Sequence, residues 1–503
     1  MTEILATADS ARCDRYAIEN GIGSQNLMSN AGHAVASAIR ARWAPRPVLV
    51  LAGPGNNGGD GLIAATALRA AGWPVRVVLF AEPQDLAGDA AWALGVWDAP
   101  VLAPEPVAWG DAALVVDAVF GAGLSRSVGG LPARWLDALS TRSCPVVAID
   151  LPSGIRGDAR PLSGIASKAD LTVTFHRRKL AHVIEPHAEM CGEVECADIG
   201  VPQGWEAGIS PVANLVARPR WRPLERAEMP ATHKHQRGRV AVFSGAASAT
   251  GAARLSAHAA LRAGAGLVTV CSPPAAMLVN AAGLTGVMLT RWEGGPDTRR
   301  VLDDLRAEAA GLGPAMGGGE ATRNAVLAAL ETGLPLVLDA DALTSFEQAP
   351  EALLTRLHPA CVLTPHLGEF ARLFGERDAE ANKIERARAA AEACSCTVLL
   401  KGPATVVASP GAVPFINRHA SPWLATAGSG DVLAGIVATG LAAGMSPHDA
   451  AAAAAWLHGD AGRRLGAGLV AEDLPDCLPQ VLKALADSQR REAALSHLLT
   501  HGS

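Results

Sequence analysis

An aliphatic run, Val48 to Ala52, ends in Gly53-Pro-Gly-Asn-Asn-Gly-Gly-Asp-Gly61 and passes directly into an alanine-rich helical stretch over 61–71. A strand, a glycine turn and a helix in that order begin a βαβ unit, which commits the following chain to parallel strands covered by helices. Gly53, Gly55 and Gly58 satisfy G-x-G-x-x-G, and Glu82 ends the next strand near where a dinucleotide site keeps its ribose acid. Asn56, Asn57 and Asp60 argue against a dehydrogenase. A pyrophosphate needs bare backbone at such a turn, whereas this one offers amide and carboxylate oxygens that suit a hydroxyl-bearing ligand or a cation. A tight turn with helix caps is the plainer reading, since Asn and Asp are favoured in both roles.

The rhythm continues with strand-like runs at 75–80, 113–116 and 145–149, then lapses and restarts at 238–243. At roughly 100–200 residues per domain, 503 residues are too many for one core. The expected layout is a first domain over 1–215, a proline-rich linker over 216–230 with Pro219, Pro223 and Pro230, a second domain over 231–490, and a polar, frayed tail over 491–503. The net charge of −6 leaves no excess of Lys and Arg to neutralise phosphates, so no nucleic-acid partner is expected. With Tyr16 the sole tyrosine and aromatics at 4%, stacking platforms are unlikely too. Nine scattered cysteines read as reduced, and Cys394-Ser-Cys396 has no second pair at zinc spacing. No leader-like start and no apolar run of about 20 residues is seen, so a soluble, cytoplasmic chain without a membrane partner is expected.

Two further strand ends repeat the theme of the first turn. Asp117 closes one run and precedes Gly121-Ala-Gly-Leu-Ser-Arg-Ser127, and Asp150 closes another ahead of Ser153 and Gly154. In a parallel sheet these C-terminal ends share one rim, where ligands bind. A lone aspartate there is usually a cap; three tips with glycine neighbours are harder to explain that way. The set NNGGDG, DAVFGAGLSR and DLPSG resembles the NAD(P)HX epimerase family across 1–215. The resemblance implies a Rossmann-like three-layer domain that interconverts the R and S forms of NADHX and NADPHX, nicotinamides hydrated at C6. It implies K+ on Asn57, Asp117 and Ser153. Substrate is expected against Asn56, Asn57, Gly58, Gly59, Asp60, Gly121, Ala122, Gly123, Leu124, Ser125, Arg126, Ser127 and Asp150, with Asp150 handling the proton. Ser29 stands where the family pattern has an acid.

In the second block, four passages carry chemistry: Leu338-Asp339-Ala-Asp341, Thr364-Pro-His366-Leu-Gly-Glu369, Lys401-Gly-Pro-Ala-Thr405 and Ala427-Gly-Ser-Gly-Asp431. An aspartate directly after Gly-Ser-Gly at a helix start stands beside an anion hole of N–H groups, where it can take a hydroxyl proton. An acid in the first turn of a helix also has a purely electrostatic explanation, and a lone histidine such as His366 is more often a cap or a core residue. The passages resemble the ribokinase-like ADP/ATP-dependent NAD(P)HX dehydratases over about 230–485. That implies Asp431 as catalytic base, with Ala252, Gly313, His366 and Asp431 on the substrate and Lys401, Gly402, Pro403, Ala404, Thr405 and Gly430 on the nucleotide. It implies ADP with Mg2+, giving AMP and phosphate. Ala315 replaces an expected glycine, and Trp423 replaces a small residue on the approach to the glycine loop.

The fold class expected is therefore α/β throughout, in a bifunctional enzyme whose partners are NADHX or NADPHX and ADP, and a homo-oligomer is expected. Two alternatives stay open: a small-molecule kinase, for a vitamin or sugar, fused to a nucleotide-binding domain, and a non-catalytic binding module in the first domain.

Overall fold

Aliphatic strands too apolar to face water on either side dictate the architecture. Val48–Ala52, Leu114–Ala118 and Val146–Ile149 are buried at every position, as expected for strands covered by helices on both faces. The computed structural model describes residues 2–105, 107, 109–161, 164–227, 233–375 and 380–501, with side chains described as far as 492. The chain divides into two units, Met1–Asn214 and Leu215–Ser503.

In the first unit, six strands form one parallel sheet in the order Val75–Leu79, Val48–Ala52, Leu114–Ala118, Val146–Ile149, Leu171–Phe175, Glu193–Ala197. The chain leaves Val48–Ala52 for one neighbour and returns to pair on its other side, so the switch point lies between Val48–Ala52 and Leu114–Ala118. Ligands bind outside the strand ends at such a point, and Asp117 and the glycine turn both stand there. The helical pattern at the N-terminus resolves into Thr7–Glu19 and Ser24–Arg42, and the glycine turn opens the helix Asn56–Ala70.

The sheet of the second unit runs Phe415–Asn417, Thr405–Ala408, Thr397–Leu400, Cys361–Leu363, Leu336–Leu338, Ala309–Leu312, Arg239–Phe243, Leu267–Ser272, Met288–Arg291. It is parallel from Thr397–Leu400 onward, with an antiparallel pair at the other edge. Its switch point falls between Arg239–Phe243 and Ala309–Leu312. The helices Gly251–Arg262, Ser429–Ala442 and Pro447–Leu465 share the core beneath it.

Of the stretch 216–230, expected to be a linker, the described residues 216–227 belong to this unit. Trp221 is fully buried in the core and its indole N–H donates to the Ala263 carbonyl at 2.8 Å, ahead of the helix Arg222–Ala227. Pro223 is tolerated because the first turn of a helix needs no N–H from it; Pro230 lies outside the described residues. The stretch expected to be a frayed tail continues the helix Asp473–His501, and residues 502–503 lie outside the described residues. Cys394 and Cys396 are buried thiols with sulfurs 3.3 Å apart. No described helix is long and apolar enough to cross a membrane.

Candidate active sites

A cavity of about 640 Å³ opens at the C-terminal rim of the first unit's sheet, lined by Asn56, Asn57, Asp60, Gly121 to Arg126, and Asp150. The sequence-derived substrate residues converge there, with three exceptions. Gly58 and Gly59 are buried within their helix, and Ser127 is not on the lining. A Cβ on Gly121 would stand 3.0 Å from both Asn57 Oδ1 and Asp150 Oδ2. A larger residue here would have to push the Asn57 and Asp150 side chains aside.

Asp150 is held from every side. Oδ1 accepts from Lys179 Nζ at 2.8 Å and from Thr174 Oγ1 at 2.9 Å, and Oδ2 accepts from the Ala122 N–H at 2.8 Å. His182 takes the Lys179 N–H on Nδ1 at 2.9 Å, which leaves its proton on Nε2, 2.6 Å from the Asp150 carbonyl. These ties hold a left-handed backbone, φ 61°, that a non-glycine residue adopts only under constraint. Burial alone would raise the Asp150 carboxyl, but the Lys179 ammonium overrides it and holds the group well below the usual carboxylate range. Asp60 responds the opposite way: burial and the nearby Asp150 and Asp14 push it well above that range.

The three residues expected to hold potassium are partly assembled. Ser153 donates to both oxygens of Asp117, through Oγ at 2.6 Å and its N–H at 2.8 Å, and the Ser167 hydroxyl and the Val119 N–H complete the set. Ser153 Oγ in turn accepts from the Phe120 N–H at 2.8 Å. Asp117 is fully buried, no cationic side chain among the described residues pairs with it, and burial raises its pKa. Asn57 meets the site from the Gly121 side with a buried Nδ2 that has no partner. A buried carboxylate among neutral hard oxygens fits a weakly hydrated monovalent cation, to which Asn57 would present its Oδ1; the unpaired Nδ2 is a donor and no ligand.

In the second unit, Gly428 caps the helix Ser429–Ala442 in a left-handed conformation, φ 85°, and presents Ser429, Gly430 and Asp431 as its first turn. A Cβ on Gly430 would lie 3.4 Å from Lys401 Nζ and 3.6 Å from Asp339 Oδ2. Lys401 is taken: it pairs with buried Asp339 at 2.8 Å and stands 3.8 Å from Glu369. Burial and the Asp339 charge raise Asp431 to about 6, with Lys401 countering them. Ser429 Oγ lies 3.1 Å from His458 Nε2, and burial lowers that imidazole to about 4, keeping it neutral.

His366 accepts the N–H groups of Gly368 and Glu369 on Nδ1 at 3.0 and 3.3 Å, and Glu369 returns a bond to the His366 N–H. The residue caps the helix Leu367–Phe374, while its ring stays exposed. Gly313 and Ala315 lie at the switch point, and Ala252 opens the helix Gly251–Arg262. Thr405 Oγ1 donates to the Gly402 carbonyl at 3.2 Å, which closes the Lys401–Thr405 turn. Ala404 is buried and its carbonyl accepts from Lys383 Nζ. Trp423 stands half exposed. No cluster of three metal-ligating side chains occurs among the described residues, so a divalent ion here would be held mainly by phosphate oxygens and water.

Sequence reasoning missed Lys179, Thr174, His182 and Asp14 in the first unit and the Lys401–Asp339 pair in the second. The signal for Thr174, Lys179 and His182 was the strand Leu171–Phe175, whose C-terminal end reaches the same rim; Asp14 comes from the helix Thr7–Glu19.

Residues 24–181 match the family model described as YjeF-related protein N-terminus, and residues 240–482 match the one described as NAD(P)H-hydrate dehydratase. A bifunctional NAD(P)H-hydrate repair enzyme of Moorella thermoacetica is 37% identical over 96% of this chain and 97% of its own. Its counterpart in Salinibacter ruber is 34% identical over 97% and 98%. Among solved structures, a Bacillus subtilis ADP/ATP-dependent NAD(P)H-hydrate dehydratase co-crystallized with ATP/Mg2+ is 27% identical, with a TM-score of 0.45 over 52% of this chain and 95% of that one. Identity at this level along both units places the chain in the bifunctional NAD(P)H-hydrate repair enzyme family.

Proposed function

We propose that the first unit epimerises R- and S-NAD(P)HX at C6 and that the second dehydrates the S form to NAD(P)H, converting ADP to AMP and phosphate. The observation that carries this reading is that each unit sets an aspartate at a glycine loop on its sheet's rim: Asp150 bonded by the Ala122 N–H and Lys179, and Asp431 in the first turn behind Gly428, with their acidities shifted in opposite directions. Perturbed carboxyls in such places are candidates for proton transfer.

In the first unit, Asn56, Asn57, Asp60 and the loop Gly121 to Arg126 surround the hydrated ring while Asp150 Oδ2 handles the proton. Asn57, Asp117 and Ser153 would hold a potassium ion, which would supply a fixed positive charge beside the loop. In the second, Asp431 takes the proton of the C6 hydroxyl as its oxygen attacks the terminal phosphoryl of ADP. The N–H groups of Gly428 to Gly430 stabilise the phosphoryl oxygens, and Lys401 to Thr405 contact the nucleotide, which brings Mg2+ on its phosphates. Phosphate is a far better leaving group than hydroxide; the ring nitrogen's lone pair expels it, and loss of the C5 proton restores the dihydropyridine. Ala252, Gly313 and His366 line the substrate side. The enzyme is expected to work in the cytoplasm as a homo-oligomer.

Incubation with mixed NADHX epimers, ADP and Mg2+ tests the reading. Reduced-nicotinamide absorbance should recover from both epimers with release of inorganic phosphate. Recovery of neither, or accumulation of a stable phosphorylated product, would overturn it.

A further inference from the structure

The first unit's cavity holds more ionisable groups than Asp150 alone requires. Asp14, from the helix Thr7–Glu19, and Asp60, from the helix Asn56–Ala70, line it together with Asp150 and Lys179. Lys179 Nζ is bonded to Asp150 and, at 3.1 Å, to Thr174. Other charged or titratable groups on the wall are committed or remote: Asp89 accepts from Ser24 Oγ, Arg126 is exposed, and burial lowers His176 to about 4. His176 Nε2, with its residue 7% exposed, has no partner. Asp60, on its helix, and Asp150, just beyond the strand Val146–Ile149, reach this space from two different sides of the glycine turn's rim.

We propose that Asp60 is a second proton-transfer residue of the epimerisation, and that Lys179 is the positioning residue that assigns each carboxyl its role. The inference rests on the epimerase reading of this unit. Asp60 gives its proton to the C6 oxygen, the C6–O bond breaks, the ring nitrogen's lone pair forms the C=N bond, and water departs. Another water adds to C6 on the opposite face, its proton passes to Asp150, and the C=N pair returns to nitrogen. One water leaves and one enters; Asp60 ends ionised and Asp150 protonated, and the reverse epimerisation uses the same groups with roles exchanged. Two carboxyls in one site whose environments drive their acidities apart mark an acid and a base. Lys179 bonds one of them and only partly offsets the burial of the other.

A step that needs protonated Asp60 runs fully below its raised pKa and fails as pH rises through it. A step that needs ionised Asp150 fails only as pH falls through its depressed pKa. Epimerisation of R-NADHX by the full chain, corrected for the spontaneous rate, should therefore lose its alkaline limb in Asp60→Asn. In that variant kcat should drop about a hundredfold, with KM near the parent's. Asp14→Asn should keep an alkaline limb, moved to lower pH because one of the charges that raise Asp60 is gone. Lys179→Met should move the acid limb to higher pH, and an added alkylamine should move it back, which a merely structural lysine would not allow. NADPH binding measured on each variant shows whether the cavity is still formed. The inference is overturned if Asp60→Asn binds NADPH and keeps kcat within about threefold of the parent, or if Asp14 rather than Asp60 carries the alkaline limb. Absence of epimerisation in the parent chain would instead break the epimerase reading on which the inference rests, and epimerisation surviving in Asp150→Asn would remove Asp150 as the partner base.

Discussion

Lys179 and Lys401 occupy the same kind of place, just beyond a parallel strand at the rim of their respective sheets, and each bonds one aspartate at 2.8 Å. They do different things with it. Lys179 bonds the aspartate proposed to move protons, so Asp150 is an anion at any working pH. Lys401 bonds Asp339, a neighbour, and the unbonded Asp431 rises to about 6 under burial and the Asp339 charge. A carboxylate ionised at rest holds a proton only transiently, which suits a reversible exchange with a ring hydroxyl. A base with a pKa just below neutrality suits a single committed abstraction, because basicity and availability are balanced. The same lysine–aspartate device, moved by one aspartate, tunes two chemistries.

The sharpest way to break this comparison is to neutralise each base. Asp431→Asn should lower dehydration of S-NADHX about a thousandfold, within the range for losing a general base, while epimerisation stays intact. Loss of both activities would contradict independent sites. Asp150→Asn should lower epimerisation about a hundredfold and confine repair to the S form; R consumption above the spontaneous rate would count against its role.

A finer test separates the two lysine pairs. If Asp431 is the base, dehydration should rise with pH through about 6, since only the ionised form accepts a proton. Asp339→Asn removes the repelling charge and frees Lys401, and both changes lower the Asp431 pKa. The acid limb of kcat should shift down by about one pH unit, which is tenfold in rate below the limb. An unmoved limb would mean that the Lys401–Asp339 pair does not set Asp431.

What the sequence reveals and hides follows the reach of each interaction. The glycine turn at 53–61 and the strand ends at Asp117 and Asp150 are local patterns, and the parallel sheet brings them to one rim. The Ser153–Asp117 contact joins two such ends and was anticipated as a shared site. Lys179 was hidden because Arg177 and Arg178 precede it, and a run of three cations resembles a solvated face; only the fold shows that it is buried, 4% exposed, against Asp150. Asp339 stood in a marked passage, yet its partner Lys401 follows two strands later, so nothing local links them. Trp221 was masked by prolines that read as a linker, though its indole anchors the second unit's core. His366 shows the limit of motif reading: Thr364-Pro365 before it and Glu369 after it flag a site, and they equally make a helix cap.

Backbone strain gives the smallest and last test of the comparison. In the first unit a left-handed non-glycine φ falls on Asp150 itself, at 61°, and hydrogen bonds on side chain and carbonyl hold it there. In the second unit the corresponding strain lies off the base, on Ala315 at φ 54° and Ala340 at φ 48°. The Ala315 carbonyl oxygen sits 1.7 Å from where a Cβ on Gly245 would be, so the two loops are pressed together and the conformation at Ala315 is imposed. Ala315→Gly removes about 1–2 kcal/mol of left-handed strain and returns about 0.5–1 kcal/mol as greater freedom of the unfolded chain. A net gain of about 0.5 kcal/mol is expected, raising the unit's thermal midpoint by about 1–2 °C. A lower midpoint would show that the Ala315 methyl packs more than it strains, and the contrast between a strained base and a strained scaffold would then lose its second half.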